Sequence, residues 1–433
     1  MAKKHSSRRA KKIRNLVAVC SLCAILLTVS TYAWFIGMQT VNVASFDVEI
    51  ATTEGLYLSV DGEHWYYSLN VKETDAYENN ANTWADGGLI PMSTVGDMDA
   101  DASRMKLYEK ASLTATDGGY RLLASRVDNN VTKNAGNEYE EGKGYVAFDL
   151  FIKNISGEEY YVENEPLNEE AIYLTTNSEV KVATGGEANT GIENSVRVAF
   201  VQIGRVEADT KSVSNITAIT CDDKDAASGQ VQVTGICRNA QIWEPNDKAH
   251  VQNALNWYEE SCMKRLEGGT DVTKAASYDI KAETTCNKLA LDQAYDTYAV
   301  SRELTVDDNV DVYDGTAYNT YTANSNTYAE YTEEGADPAD FKLVAFDTFT
   351  DTEKNYPGNQ RPAFMTLAPN SITKVRVYIY IEGQDVDNYD FASLGKKISV
   401  NFGFTKERFT EDDVDHEGPS TDITPEGPAS PSV

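Results

Sequence analysis

Apolar and polar residues alternate with a period of two along much of this chain. Residues 374–382 carry Val375, Val377, Ile379 and Ile381 on one face and Arg376, Tyr378 and Tyr380 on the other. Residues 397–405 repeat the pattern with Ile398, Val400, Phe402 and Phe404. This period places alternate side chains on opposite faces, so both segments are expected as half-buried antiparallel strands. The polar run from Gly383 to Asn388 opens their connection as a turn. Further strands are expected at 46–50, 56–60, 145–153 and 195–203. In 145–153, Val146, Phe148, Leu150 and Ile152 line one face, and Phe151 on the other marks a central strand buried on both sides. The pattern shifts to helical spacing once, at 247–267. There Asn246 or Asp247 can cap a helix, Val251, Ala254, Leu255, Tyr258, Cys262 and Leu266 follow, and Gly268-Gly269 ends it. A weaker helical stretch covers 288–298.

These elements predict an all-β fold: an antiparallel jelly-roll-like sandwich with an inserted mixed α/β segment. Residues 34–205 supply its first part, 206–340 the insertion with the helix, and 341–409 the closing strands. Residues 311–335 are rich in Tyr, Thr, Asn, Asp and Gly, and are expected as an irregular surface segment or edge hairpin. From Thr410 the chain holds seven acids, no Lys or Arg, and four of its eleven prolines, the composition of a disordered tail.

Charge sharpens this division. The 433 residues hold 38 Lys+Arg and 68 Asp+Glu, a formal net of −30. The first 33 residues contain seven of those bases and no acid, so the remaining 400 residues set 31 bases against 68 acids, a net of −37. Nucleic-acid binding needs clustered Lys and Arg for phosphate, so it is not expected here. Anionic membrane surfaces would repel this body, leaving membrane contact to the N-terminal leader alone.

That leader has a basic start, an apolar run from Leu16 to Val29, and Thr31-Tyr32-Ala33 at its end. This is the layout of a secretory signal peptide, with cleavage expected after Ala33 or Trp34. The alternative is an uncleaved anchor, because Leu16 to Met38 is uncharged for a membrane-spanning length. Either way the body is expected to be secreted or held at the cell surface. It then retains Cys221, Cys237, Cys262 and Cys286, an even number suited to two disulfides. Sequential pairing, Cys221 with Cys237 and Cys262 with Cys286, closes the shortest loops. Four free thiols are the alternative.

Catalytic constellations are sparse. His5 lies in the leader and His416 in the tail, leaving His64 and His250 in the body. There is no HExxH and no GxSxG, so neither the helical zinc site nor the nucleophile elbow can be built. His64 is expected to cap a turn beside Trp65, and His250 to have a structural role in the first helical turn. No catalytic residue is assigned, and a non-enzymatic protein is expected. No cofactor is expected apart from a structural calcium, for which Asp97, Asp99, Asp101, Asp385 and Asp387 are weak candidates. The first three have the spacing of an EF-hand start, but Ala102 and Tyr108 stand where that loop needs Gly and Glu. Tyr313, Tyr318, Tyr321, Tyr328 and Tyr331 could stack on sugar rings or be ordinary surface residues.

Several segments together resemble the TasA/camelysin-type exported proteins of Gram-positive bacteria. The leader ends Thr31-Tyr32-Ala33-Trp34-Phe35, similar to that family's small-aromatic-Ala-x-Phe junction, and residues 41–62 read VNVASFDVEIATTEGLYLSVDG. LIPMST at 89–94, YVAFDLFIKN at 145–154, SVRVAF at 195–200, IWEPNDKAH at 242–250 and VYIYIEGQDVDNYD at 377–390 add to it. The resemblance implies processing by signal peptidase W, a jelly-roll sandwich, and assembly into extracellular matrix fibres with copies of itself or related subunits. It also implies that the mature N-terminal segment is a donor strand for the next subunit. Here Phe35, Val41, Val43, Phe46, Val48 and Ile50 would be its apolar residues. The alternative is that this segment is the first strand of its own sandwich. The metalloprotease activity ascribed to camelysin is not carried over, because no zinc site is recognisable.

Overall fold

The fold is taken from a computed structural model. It describes residues 42–50, 55–70, 88–109, 111–112, 123–124, 141, 144–256, 290–295, 298–300, 343–383, 385–389 and 397–409. The leader, Cys262 and Cys286, the Tyr-rich 311–335 and the acidic tail lie outside the described residues, as do Ala33, Trp34, Phe35 and Val41.

The strands of the two main layers are, in chain order, β1 (Asn42–Ile50), β2 (Leu56–Ser59), β3 (Ser68–Asn70), β4 (Val146–Asn154), β5 (Glu170–Leu174), β6 (Glu179–Val182), β7 (Val196–Glu207), β8 (Gln241–Glu244), β9 (Phe349–Thr350), β10 (Met365–Leu367), β11 (Ser371–Glu382) and β12 (Lys397–Thr405). The small sheet runs β10-β5-β12-β1-β3, with β6 also on β12. The large sheet runs β9-β8-β7-β11-β4-β2, and Pro91–Ser93, Tyr108–Glu109 and Thr234–Gly235 extend it. The molecule is an all-β sandwich. Most pairings are antiparallel, but β1 with β12, β8 with β9, and Pro91–Ser93 with β11 run parallel.

The two sheets meet over one apolar core. Val146, Phe148, Leu150 and Ile152 of β4, Val375, Val377, Ile379 and Ile381 of β11, and Val196, Val198 and Phe200 of β7 face Ile398, Val400, Phe402 and Phe404 of β12. The ring of Phe200 packs edge-on against Phe364, Phe402 and Phe404, at centroid distances of 5.0, 4.9 and 5.6 Å. Edge-to-face contacts place a positive ring edge on a negative ring face.

The outer face of the large sheet is covered as well. Ala147 and Phe151 of β4 and Tyr378 and Tyr380 of β11 pack there with Met92, Met105, Leu107, Ile216 and Ile219. Phe151 is therefore buried as its position implied. The half-buried reading fits β12, whose first residues alternate in exposure, but not β11, whose Tyr378 and Tyr380 are buried too. The cover comes from the short helix Val213–Thr217, the short strands Pro91–Ser93 and Arg104–Met105 and the segments joining them, which period-two arithmetic cannot see.

The boundary drawn at 205/206 is also corrected. It cuts through β7, and β8 from within the supposed insertion pairs with β7 through Val198–Trp243, Ala199–Ile242 and Phe200–Gln241. Part of the insertion is thus an integral strand of the large sheet. Of the helix expected at 247–267, residues 252–256 are helical; residues 245–248 form a turn ahead of it, so the start lies five residues later than expected, and 257–267 lie outside the described residues. In place of the weak helix expected at 288–298, residues 290–295 form a turn, in which the Tyr295 hydroxyl accepts from the Ala290 N–H and donates to the Ala290 carbonyl, and Tyr298–Val300 is a short strand.

Candidate functional site

Two places gather the residues the sequence singled out. The first is the slot occupied by β1. It lies between β12 and β3, parallel to β12 and antiparallel to β3. Val43 registers with Ile398, Phe46 with Val400, Val48 with Phe402 and Ile50 with Phe404. All four β12 partners are fully buried in the inter-sheet core. The spacing from Val43 to Phe46 breaks the period of two, and the ladder shifts register between Val43 and Ser45. One extra residue there brings both apolar positions level with inward-facing residues of β12. Within the single chain described, the segment pairs as a strand of the chain's own sandwich.

The second place is the end of the large sheet near β11. Arg197 on β7 is buried, and its Nη2 donates to Glu244 on β8 at 2.6 Å and to Asp385 beyond β11 at 2.6 Å. Burial opposes its charge, but Glu244 and Asp385 outweigh burial and raise its pKa further. Asp385 Oδ1 accepts from the Asp387 N–H at 2.7 Å and from the Ser195 hydroxyl at 3.4 Å. Asp387 Oδ2 lies 2.6 Å from His250 Nδ1, and its Oδ1 accepts from the Val251 N–H at 3.1 Å. Asp387 therefore satisfies a free N–H at the start of the 252–256 helix, a role assigned from sequence to Asn246 or Asp247. Asn246 instead adopts a left-handed φ of 59° and donates to the Val180 and Glu193 carbonyls. Asp247 accepts from the Thr352 hydroxyl.

His250 has acceptors on both sides, Asp387 on Nδ1 and the Gln293 carbonyl at 2.8 Å on Nε2. A general base needs a free lone pair facing its substrate, and this ring offers none. His64 is exposed and bonds Asp61, whose carboxylate also accepts from Ser59 and from the Glu63 and His64 N–H groups. The bend beside Trp65 is thus capped by Asp61, with His64 as a donor to it and not itself the cap.

The calcium candidates do not converge. Asp99 accepts from the Ala102 N–H and Asp97 from Asn239. Asp385 and Asp387 already accept protein donors on all four carboxylate oxygens, with a guanidinium and an imidazole against them. In this fold they are partners in ion pairs and hydrogen bonds. Among the described residues no three His, Cys, Asp or Glu side chains form a metal-holding group. Cys221 and Cys237 are joined, with Cα atoms 5.2 Å apart.

One further surface feature joins aromatics that are not neighbours in sequence. The Leu58–Tyr66 bridge brings Tyr67 beside Tyr57, with ring centroids 4.9 Å apart, on the outer face of the β2 edge. The Lys153 ammonium lies 4.2 Å from the Trp65 ring. Individually these aromatics carry no periodic signal, and only the bridge groups them.

Comparison with known proteins identifies no relative: no family model, no curated protein and no solved structure matches the chain. Among the described residues no helix is long and apolar enough to cross a membrane.

Proposed function

We propose that this chain is an exported, non-enzymatic structural protein of the cell surface or extracellular matrix, which associates with copies of itself through its N-terminal strand. The observation that carries this reading is the position of β1, an interior strand seated parallel on β12. Parallel neighbours need a long connection, which the residues between Ile50 and Lys397 supply here, and the same ladder could be made by a strand from another copy. Exchange would give a neighbour's β12 the same main-chain bonds and expose β12 and β3 wherever the strand leaves. The leader and the TasA/camelysin resemblance support export, with signal peptidase as a transient partner. The acidic body disfavours nucleic acid and opposes close approach of copies. Assembly should therefore be promoted by salt, acid or divalent cations, which screen or neutralise that charge.

The test is electron microscopy of residues 34–433 beside a protein lacking 34–50. Filaments from the first and none from the second are expected. Persistent monomers of the first across pH, salt and calcium would overturn the reading.

The Tyr57–Tyr67 ledge favours a second reading, a carbohydrate-binding surface module, because flat rings with polar rims stack on sugar faces. A glycan array with and without calcium tests it, and absence of binding in both removes it.

A further inference from the structure

His250 joins three separate stretches of chain. Its Nδ1 faces Asp387, 137 residues away, at 2.6 Å, and its Nε2 faces the Gln293 carbonyl, 43 residues away, at 2.8 Å. Its own N–H donates to the Leu291 carbonyl at 3.2 Å, and Tyr295 packs on the ring with centroids 5.0 Å apart. The His250 side chain is only 7% exposed and that of Asp387 is fully buried. A carboxylate and a carbonyl can only accept, so both contacts are hydrogen bonds only when both ring nitrogens carry protons. The neutral ring has one N–H and must turn a lone pair toward one of the two acceptors.

We infer that His250 is a proton-operated clasp: as an imidazolium it holds the 290–295 turn and the 385–389 turn against the start of the 252–256 helix, and deprotonation releases the 290–295 side. The carboxylate is the stronger acceptor, so the remaining proton stays on Nδ1 toward Asp387. Nε2 then opposes the Gln293 carbonyl, and the Leu291 and Tyr295 contacts loosen with it.

The groups facing this site are Asp387 and Asp385 on one turn, Tyr295 on the other, and Glu193 and Tyr389, both coupled to Asp387; Arg197 stands behind Asp385. Burial pushes His250 down, but the bond to Asp387, that carboxylate's charge, the Gln293 carbonyl and Asp385 raise it above its ordinary value of 6.5. A group with a raised folded pKa gives stability that is complete below the open-state pKa and lost as pH rises through the folded one. The clasp therefore closes in mild acid and opens in base.

The test uses the full chain with labelled histidine. Its ¹⁵N shifts should show a doubly protonated His250 ring that titrates above the ordinary histidine range. Exchange of the His250 amide, corrected for intrinsic rate, should become faster by up to about tenfold per pH unit between the open and closed pKa values. The Val251 amide, bonded to Asp387, should change less. In His250→Gln the pH dependence should disappear, and in Asp387→Asn the His250 midpoint should fall. A neutral ring at pH 6, or a His250 amide whose protection does not change with pH in the unmodified chain, would overturn the clasp. The unmodified chain decides the matter even if both variants fail to fold.

Discussion

The two faces of the large sheet are built from the same strands on different physical terms. On the inner face, β4, β7 and β11 present Val, Leu, Ile and Phe to β12, and dispersion and dehydration hold the sheets together. On the outer face the same strands present Asp149, Lys374, Arg376 and Arg197 beneath loops. Arg376 grips Asp149 through Nε at 2.7 Å and Nη2 at 3.0 Å, and Lys374 adds an ion pair at 3.2 Å. Glu141 joins the Tyr145 and Tyr378 hydroxyls to Arg376. The inner face tolerates any residue that is apolar and fits. The outer face depends on each charge keeping its partner, because an unpaired buried charge costs several kcal/mol.

Mutations can separate these terms. Phe200→Ala on the inner face should cost about 3–5 kcal/mol in urea unfolding, and no change of charge elsewhere should restore it. A loss below about 1 kcal/mol would mean the aromatic cluster packs loosely. On the outer face, Arg376→Met should cost about 2–4 kcal/mol, because Asp149 keeps only the Lys374 ammonium as an ion-pair partner for its buried charge. Adding Asp149→Leu and Lys374→Met should recover most of that loss, since removing all three charges removes the desolvation penalty. Failure of the triple variant to recover would show that packing, not charge, dominates there. The pair also sets an acid limit. Burial works against the Asp149 charge, yet Arg376 and Lys374 hold its carboxyl well below the usual range. Its contribution is therefore present above the unfolded carboxylate pKa and lost as pH falls through the depressed value.

A smaller effect is expected where the outer cover is stapled. Cys221 and Cys237 are 16 residues apart, and replacing both with Ala should cost about 3 kcal/mol by the loop-entropy argument. An unchanged unfolding midpoint in a non-reducing buffer would show that this loop is already constrained by β7. The smallest effect belongs to Asp61. Burial raises its pKa, but bonds from His64, Glu63 and Ser59 bring it down to about 2. Because its partner His64 is exposed while Asp61 itself is half-buried, Asp61→Ala should cost about 1 kcal/mol or less. The unmodified chain should lose this contribution as pH falls from about 4 toward 2. A larger loss would mean the turn also supports β2.

The same contrast decides what the sequence could reveal. The inner face was legible: the alternation at 397–405 coincides with β12, and Phe151 signalled that β4 is buried twice. The outer face was not, because its contacts join distant residues. Glu141 reaches Tyr378 across 237 positions, and Asp387 takes the helix-start role from Asn246 and Asp247 across 136. No local spacing encodes such partners. The candidate donor segment was legible in its apolar positions, and even its break at Val43 to Phe46 matches a register shift. Whether its β12 belongs to the same copy is a question of strand exchange that residue pattern does not address.

That question has a direct measurement. Asp47 registers with Asn401 across the β1–β12 ladder. Neighbouring strands place such Cα atoms within disulfide range. The Asp47→Cys/Asn401→Cys protein should be oxidised under assembly conditions and run on a non-reducing gel. If, as the account proposes, β1 leaves its own β12 and is exchanged between copies on assembly, a ladder of covalent multimers that increases with added salt or acid is expected. Only internally linked monomers under every assembly condition, with no interchain bond, would contradict it.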